Sequence, residues 1–159
     1  FLQLAREVGA SYVATSGRRP RRRRLASELG AHEAIDATVT DLKDHFEGRS
    51  LDRVIVAASN LDATRDAMAV VRPGGAVLLF AGYVAGASLD LHLNDVHYRE
   101  LSIHGSIDCT IQDFRRAVGL LPRLAMAELV TGAFPLDDIE SAFRATRGPD
   151  AVKTVLEFT

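Results

Sequence analysis

Apolar side chains recur at helical spacing in Phe1-Leu2-Gln3-Leu4-Ala5-Arg6-Glu7-Val8-Gly9-Ala10, and the run stops at a glycine. The chain therefore opens on the last turns of a helix closed by a glycine C-cap. Ser11 to Thr15 is short, β-branched and aromatic, which predicts a strand. Ser16-Gly17 follows, and then an arginine-rich helix that turns Leu25, Ala26 and Leu29 toward a core and ends at Gly30. A brief strand is expected at Glu33 to Asp36 and a short helix at Asp41 to Glu47. Asp52-Arg53-Val54-Ile55-Val56-Ala57-Ala58 is apolar on both faces, the pattern of a buried parallel strand. Leu61 to Val71 has helical periodicity with Asn60 or Ser59 as N-cap, Arg72-Pro73-Gly74-Gly75 reads as a turn, and Ala76 to Ala81 as another buried strand. After a polar connection comes a strand at Leu101 to Gly105. The last third predicts a long helix from Ile111 to Ala127, an amphipathic helix from Leu136 to Thr146 opened by Asp137, Asp138 and Glu140, and a closing strand from Val152 to Phe158.

Strands alternating with helices of about ten residues imply an α/β fold, a doubly wound parallel sheet with helices on both faces. Such sheets place ligands at the carboxyl ends of their strands. The chain has 159 residues with 47% hydrophobic and 25% charged, which suits one globular domain and excludes a disordered one. No apolar run approaches the roughly 20 residues that span a bilayer, so a soluble protein is expected, with no membrane partner. The single cysteine, Cys109, cannot form an internal disulfide or complete a structural zinc set, which sets a reducing, cytoplasmic location as the default. A lone buried thiol is the expectation for it. The chain begins at Phe1 rather than methionine, and a fragment of something longer is expected.

The segment richest in chemical content is Ala14-Thr15-Ser16-Gly17-Arg18-Arg19, at the carboxyl end of the first complete strand. In dinucleotide-binding sheets an acid near this place accepts hydrogen bonds from the adenosine ribose hydroxyls, whereas a small residue followed by arginine leaves room for a 2′-phosphate and neutralises it. No acid stands in this segment, so Ser16, Gly17, Arg18 and Arg19 favour NADP over NAD if a dinucleotide binds. A solvated helix start in an arginine-rich protein reads the same letters differently. The run Arg18-Arg19-Pro20-Arg21-Arg22-Arg23-Arg24 also makes a local positive field suited to a polyanion, although no interleaved aromatics offer stacking platforms and the net charge is −2. His92, His97 and His104 show no paired metal-ligand spacing and read as structural. Ser106, Asp108 and His104 lack the Gly-x-Ser-x-Gly elbow of a hydrolase.

Several phrases, in order along nearly the whole chain, resemble the medium-chain dehydrogenase/reductase family, in its zinc-dependent alcohol, polyol and threonine dehydrogenase branch. They are Leu4-Ala5 to Gly9-Ala10, Leu25-Ala26-Ser27-Glu28-Leu29-Gly30-Ala31, Arg72-Pro73-Gly74-Gly75-Ala76-Val77-Leu78-Leu79-Phe80 and Asn94-Asp95-Val96-His97-Tyr98-Arg99-Glu100-Leu101-Ser102-Ile103-His104-Gly105-Ser106. Phe134-Pro135-Leu136-Asp137-Asp138-Ile139-Glu140-Ser141-Ala142-Phe143 and Lys153-Thr154-Val155-Leu156 complete the set.

The resemblance implies that Gly17 stands where an NAD-specific relative carries its ribose-binding acid, with Arg18 or Arg19 meeting the 2′-phosphate and Arg22 near the ribose. It implies Ala58 and Ser59 beneath the adenosine, Ala81 and Gly82 beside the nicotinamide, Gly105 and Ser106 at the carboxamide, and Lys153 reaching the pyrophosphate. Residues 1–127 would be a partial dinucleotide-binding (Rossmann) domain, and 128–159 a segment that in relatives returns to the catalytic domain. The Gly-x-Gly-x-x-Gly loop of relatives and the strand before it are missing, as is the amino-terminal domain that supplies zinc ligands, so zinc is expected only in a full-length parent. The missing strand is the middle one of a 3-2-1-4-5-6 sheet, and two half-sheets with unpaired edges are expected. They would pair directly, be bridged by another chain, or be completed by residues preceding Phe1.

The chain is thus expected to be the cofactor-domain fragment of an NAD(P)-linked alcohol or polyol dehydrogenase, with no catalytic or metal residues of its own. The parent would bind NADP, or NAD as the alternative, together with a small alcohol or polyol, would form a homo-oligomer, and would not bind nucleic acid. The alternative is a non-catalytic association or polyanion-binding module that uses Arg18 to Arg24.

Overall fold

The structure, a computed structural model, describes residues 1–158. In chain order the elements are α1 (Leu2–Glu7), β1 (Ala14–Gly17), α2 (Pro20–Glu28), β2 (Glu33–Asp36), α3 (Leu42–His45), β3 (Leu51–Val56), α4 (Leu61–Val70), β4 (Val71–Leu79), α5 (Leu93–Tyr98), β5 (Ser102–Gly105), α6 (Ile111–Leu120), β6 (Val130–Pro135), α7 (Ile139–Thr146) and β7 (Lys153–Glu157). Every strand pairing is parallel: β1 with β2, β3 with β4 and β4 with β5, and β6 with β7. This is the α/β class that the alternating pattern predicts. Contacts divide the chain into a first unit, residues 1–40 and 110–159, and a second, residues 41–109.

In the first unit, α1 ends as its glycine dictates. Gly9 has φ +91°, and Ala10 N–H reaches back to the Ala5 carbonyl at 2.9 Å, closing a Schellman turn. Glu7 on α1 pairs with Arg123, Gln3 Oε1 accepts from Ala125 N–H at 2.6 Å, and Arg6 donates to the Gly30 carbonyl at 2.6 Å. These contacts join α1 to the 3₁₀ turn after α6 and to the end of α2. The helix expected to reach residue 127 stops at Leu120 and continues only as 3₁₀ turns, because Pro122 has no N–H to extend the ladder. The helix expected from Leu136 likewise opens as a 3₁₀ turn, and α7 starts at Ile139.

In the second unit the core is Val56, Ala67, Val71, Val77 and Leu101, drawn from all three strands' surroundings and from α4. Val77 is completely buried, and burying a valine stabilises by about 1.5–3 kcal/mol. α4 begins where Asn60 Oδ1 accepts from Asp62 N–H at 2.8 Å. Its carboxyl end is held by Arg99, which donates to the carbonyls of Met68 and Val71.

Several sequence expectations need correction. The first strand occupies residues 14–17 rather than 11–15, since its partner β2 ends at Asp36 and draws Ser16 and Gly17 into the ladder. The turn expected at residues 72–75 lies inside β4 as an irregularity, where pairing with β3 shifts between Leu51 and Arg53 and Gly74 takes φ +71°. The strand after it ends at Leu79, two residues early. β3 is not buried on both faces: Ile55 is 39% exposed, and β3 is paired on one side only, to β4. The polar connection before β5 contains α5, and β6 was not foreseen at all. Cys109 is exposed rather than buried, because it follows β5 in a loop beside Asp108, whose φ is +54°.

Candidate functional site

In the first unit, β1 delivers Ser16 and Gly17 to its carboxyl end, and the chain turns through Arg18 and Arg19 into α2, whose first residue is Pro20. A Cβ built on Gly17 meets nothing within 4 Å, and its φ lies outside the left-handed region. The space above this strand end is therefore open. Directly opposite in the parallel register stands Asp36, the last residue of β2.

The arginine run is divided by its contacts. Arg23 donates to the carbonyls of Gly17 and Arg18, at 3.1 and 3.0 Å, and pairs with Asp36 Oδ2 at 2.5 Å. Arg22 donates twice to the Ala151 carbonyl, at 3.2 and 2.8 Å, and Arg19 once to the Gly148 carbonyl at 3.4 Å. The guanidinium groups of Arg18, Arg21 and Arg24 make no hydrogen bond or ion pair among the described residues. Three of the six arginines are thus engaged, but only Arg23 has its charge met by a carboxylate; Arg19 and Arg22 bond neutral carbonyls and keep theirs. Arg21 also borders a cavity of about 190 Å³ with Thr131, Gly148, Asp150 and Thr154.

Asp36 Oδ1 accepts from the Thr38 hydroxyl at 2.6 Å and the Thr38 N–H at 2.9 Å. These two bonds do most to hold its carboxyl below the usual carboxylate range, against the opposing effect of burial, and the Arg23 guanidinium adds to the lowering. Lys153 is the exposed first residue of β7, and its carbonyl accepts from the Thr131 hydroxyl at 3.2 Å.

In the second unit the three strands end level, with Val56 paired to Leu79 and Leu79 to Gly105. Just beyond this row come Ala58 and Ser59 after β3, Ala81 and Gly82 after β4, and Ser106 after β5. Phe80 and Ala81 N–H both donate to the Val56 carbonyl, at 3.1 and 3.2 Å, and Ser106 N–H to the Leu79 carbonyl at 3.3 Å, which fixes the departing chains. Cβ atoms on Gly82 and Gly105 would also meet nothing within 4 Å. Six of the residues singled out from sequence therefore share one carboxyl rim within this unit. In the same unit an apolar hollow of about 180 Å³ between α4 and the loop after β4 is lined by Thr64 and Tyr83, whose hydroxyls lie 2.5 Å apart, and Thr64 Oγ1 also donates to the Asn60 carbonyl at 3.3 Å.

No group of three His, Cys, Asp or Glu side chains among the described residues is arranged to hold a metal ion. His92 caps α5 through its backbone, His97 lies in that helix and His104 in β5. A zinc ion does not fit these residues.

The first 123 residues match the model of the zinc-binding dehydrogenase family. The chain belongs to that family. D-xylulose reductase A of Aspergillus oryzae is 27% identical over 152 residues, 94% of this chain and 39% of that protein. L-threonine 3-dehydrogenase of Coxiella burnetii is 24% identical over 161 residues, 98% of this chain and 46% of that protein. Among solved structures, a putative zinc-binding dehydrogenase from Clostridium scindens superposes with a TM-score of 0.91 at 24% identity, across 98% of this chain and 45% of that one. A putative zinc-binding dehydrogenase from Sinorhizobium meliloti bound to NADP does so with a TM-score of 0.90 at 25% identity, across 98% and 48%. The chain spans less than half the length of these relatives, and its parallel α/β fold matches their Rossmann-like cofactor domain.

Proposed function

We propose that the chain is the cofactor-domain portion of a zinc-dependent, NAD(P)-linked alcohol or polyol dehydrogenase, that its nucleotide is NADP, and that these residues alone do not turn over substrate. The observation that carries the cofactor choice is the open, acid-free position at Gly17 on the carboxyl end of β1, followed by the unpaired Arg18. A guanidinium there grips a 2′-phosphate by two charge-assisted bonds, while the absent side chain leaves it room. Relatives seen with NADP and with NADH share this fold, which supports a nucleotide at the rim.

In this reading Ser16, Gly17 and Arg18 receive the adenosine ribose and its 2′-phosphate. Arg22 and Arg19 shape the site indirectly, by fixing α2 to the loop before β7. Within the second unit taken by itself, the level ends of β3, β4 and β5 present Ala58, Ser59, Ala81, Gly82, Gly105 and Ser106, the positions that the resemblance assigns to the adenosine, the nicotinamide and its carboxamide. NADP supplies a hydride acceptor when bound. The sheet, in this reading, lacks the first strand and glycine-rich loop of a complete doubly wound domain, and zinc ligation belongs to the part of the relatives that this chain does not span.

Calorimetric titration of the chain with NADP and NAD tests the reading. NADP is expected to bind tighter, and Arg18→Ala to weaken NADP about tenfold, the loss of one charge-assisted pair, while leaving NAD within twofold. An NADP-to-NAD ratio that Arg18→Ala leaves unchanged would reject it.

A further inference from the structure

The sequence around Gly17 contains no acid, yet the fold brings one to its side. Parallel pairing sets Asp36 opposite Gly17, and neighbouring strands lie about 4.8 Å apart. An anionic side chain therefore stands beside the position at which a 2′-phosphate would be received. Its two oxygens are both engaged, Oδ1 by Thr38 and Oδ2 by Arg23.

We infer that Arg23 is a specificity-determining positioning residue: by masking the carboxylate of Asp36 and holding the Gly17–Arg18 turn, it keeps the β1 strand end cationic and selective for a 2′-phosphorylated ribose. The inference rests on the reading that the adenosine ribose binds at this strand end. Two features separate it from a bare structural clamp. First, both Thr38 bonds to Asp36 Oδ1 are independent of Arg23 and favour the charged carboxylate, so that removing Arg23 uncovers a negative charge instead of a neutral acid. Second, the guanidinium that pairs with Asp36 is the same one that binds the Gly17 and Arg18 carbonyls, so charge masking and the shape of the turn depend on one side chain. Arg23 is largely shielded, with 18% of its side chain exposed, which suits a fixed element of the wall.

The test uses adenosine 2′,5′-bisphosphate and ADP as probes of the ribose end, titrated by calorimetry into the whole chain. Arg23→Gln is expected to weaken the 2′-phosphorylated probe about tenfold and ADP less than threefold, since the uncovered carboxylate repels only the added phosphate. Arg23→Gln combined with Asp36→Asn is expected to restore the first probe to within about threefold of the original. Asp36→Asn alone leaves Arg23 in place and is expected to tighten that probe about two- to fivefold. Equal losses for both probes in Arg23→Gln with no rescue by Asp36→Asn would overturn the inference and leave Arg23 a clamp of the turn. Binding of the 2′-phosphorylated probe unaffected by Asp36→Asn would do the same, even if Arg23→Gln failed to fold. Failure of the unaltered chain to bind either probe would instead reject the ribose site itself.

Discussion

Gly17→Asp is the most direct perturbation of the proposed cofactor choice. The backbone at Gly17 accepts a Cβ: the added atom meets nothing within 4 Å, and φ is not in the left-handed region. The substitution therefore changes charge and hydrogen bonding with little steric cost. Two unit charges 4 Å apart interact by about 1 kcal/mol in water and about 4 kcal/mol at an effective dielectric of 20, and a half-buried strand end lies between these limits. A repulsion of about 2–3 kcal/mol against the 2′-phosphate follows, or roughly a 30- to 150-fold loss of NADP affinity. NAD gains charge-assisted hydrogen bonds from its ribose hydroxyls, typically about 1.5 kcal/mol, or some tenfold. The NADP-to-NAD ratio should fall by at least two orders of magnitude in calorimetric titrations, with circular dichroism confirming the fold. Arg23, bound to the Gly17 carbonyl, is near enough to share part of the new charge, so the shift belongs at the lower end of this range. A folded variant whose ratio moves less than threefold would refute the placement of the ribose at Gly17.

Two further outcomes concern the second unit. Arg99→Met removes charge-assisted bonds to the Met68 and Val71 carbonyls at the end of α4, and should lower the unfolding free energy by about 2–3 kcal/mol in urea titrations, whereas Arg65→Met, which breaks an exposed pair with Asp62, should change it by less than about 0.5 kcal/mol. Asp66 is held above the usual carboxylate range by burial first and then by the nearby Asp41 and Asp62 carboxylates. A group whose folded pKa is raised favours folding only when protonated, so its penalty appears as pH rises through that value; Asp66→Asn should raise Tm slightly at pH 7 and leave it unchanged near pH 3.

The fold was legible wherever local chemistry decides an element alone. The glycine ends of α1 and α2, the Asn60 cap of α4 and the apolar strand at the centre of β4 need no information from elsewhere in the chain. What escaped is set by pairing. β6 carries a glycine, an alanine and a terminal proline in Val130-Thr131-Gly132-Ala133-Phe134-Pro135, a poor strand by composition, and becomes one only because β7 lies beside it. Pro73-Gly74-Gly75 looks like a turn by every local rule, and is absorbed into β4 because Gly74 N–H finds the Arg99 carbonyl at 2.8 Å and the register with β3 slips to make room. Ile55 belongs to an apolar run yet stays exposed, since burial of both faces requires cover that the sequence of β3 cannot itself provide.

The candidate site shows the same division at the scale of single charges. The level ends of β3, β4 and β5 are set by register, whereas Ser16, Gly17 and the arginines could be read from the chain because strand end, turn and helix start are contiguous. Which arginines are free could not. Arg19, Arg22 and Arg23 differ from Arg18, Arg21 and Arg24 only in what lies opposite each one, and the partners of Arg19 and Arg22 sit more than a hundred residues further on. Asp36 is the sharper case, for it is 19 positions from Gly17 and stands next to it through register alone. A one-residue slip would turn its carboxylate to the other face of the sheet and away from Arg23, because side chains alternate along a strand. In the proposed reading, the charge offered to a nucleotide is therefore fixed by the pairing of β1 with β2 as much as by the residues in the turn, since that pairing brings Asp36 beside Gly17 and within reach of Arg23.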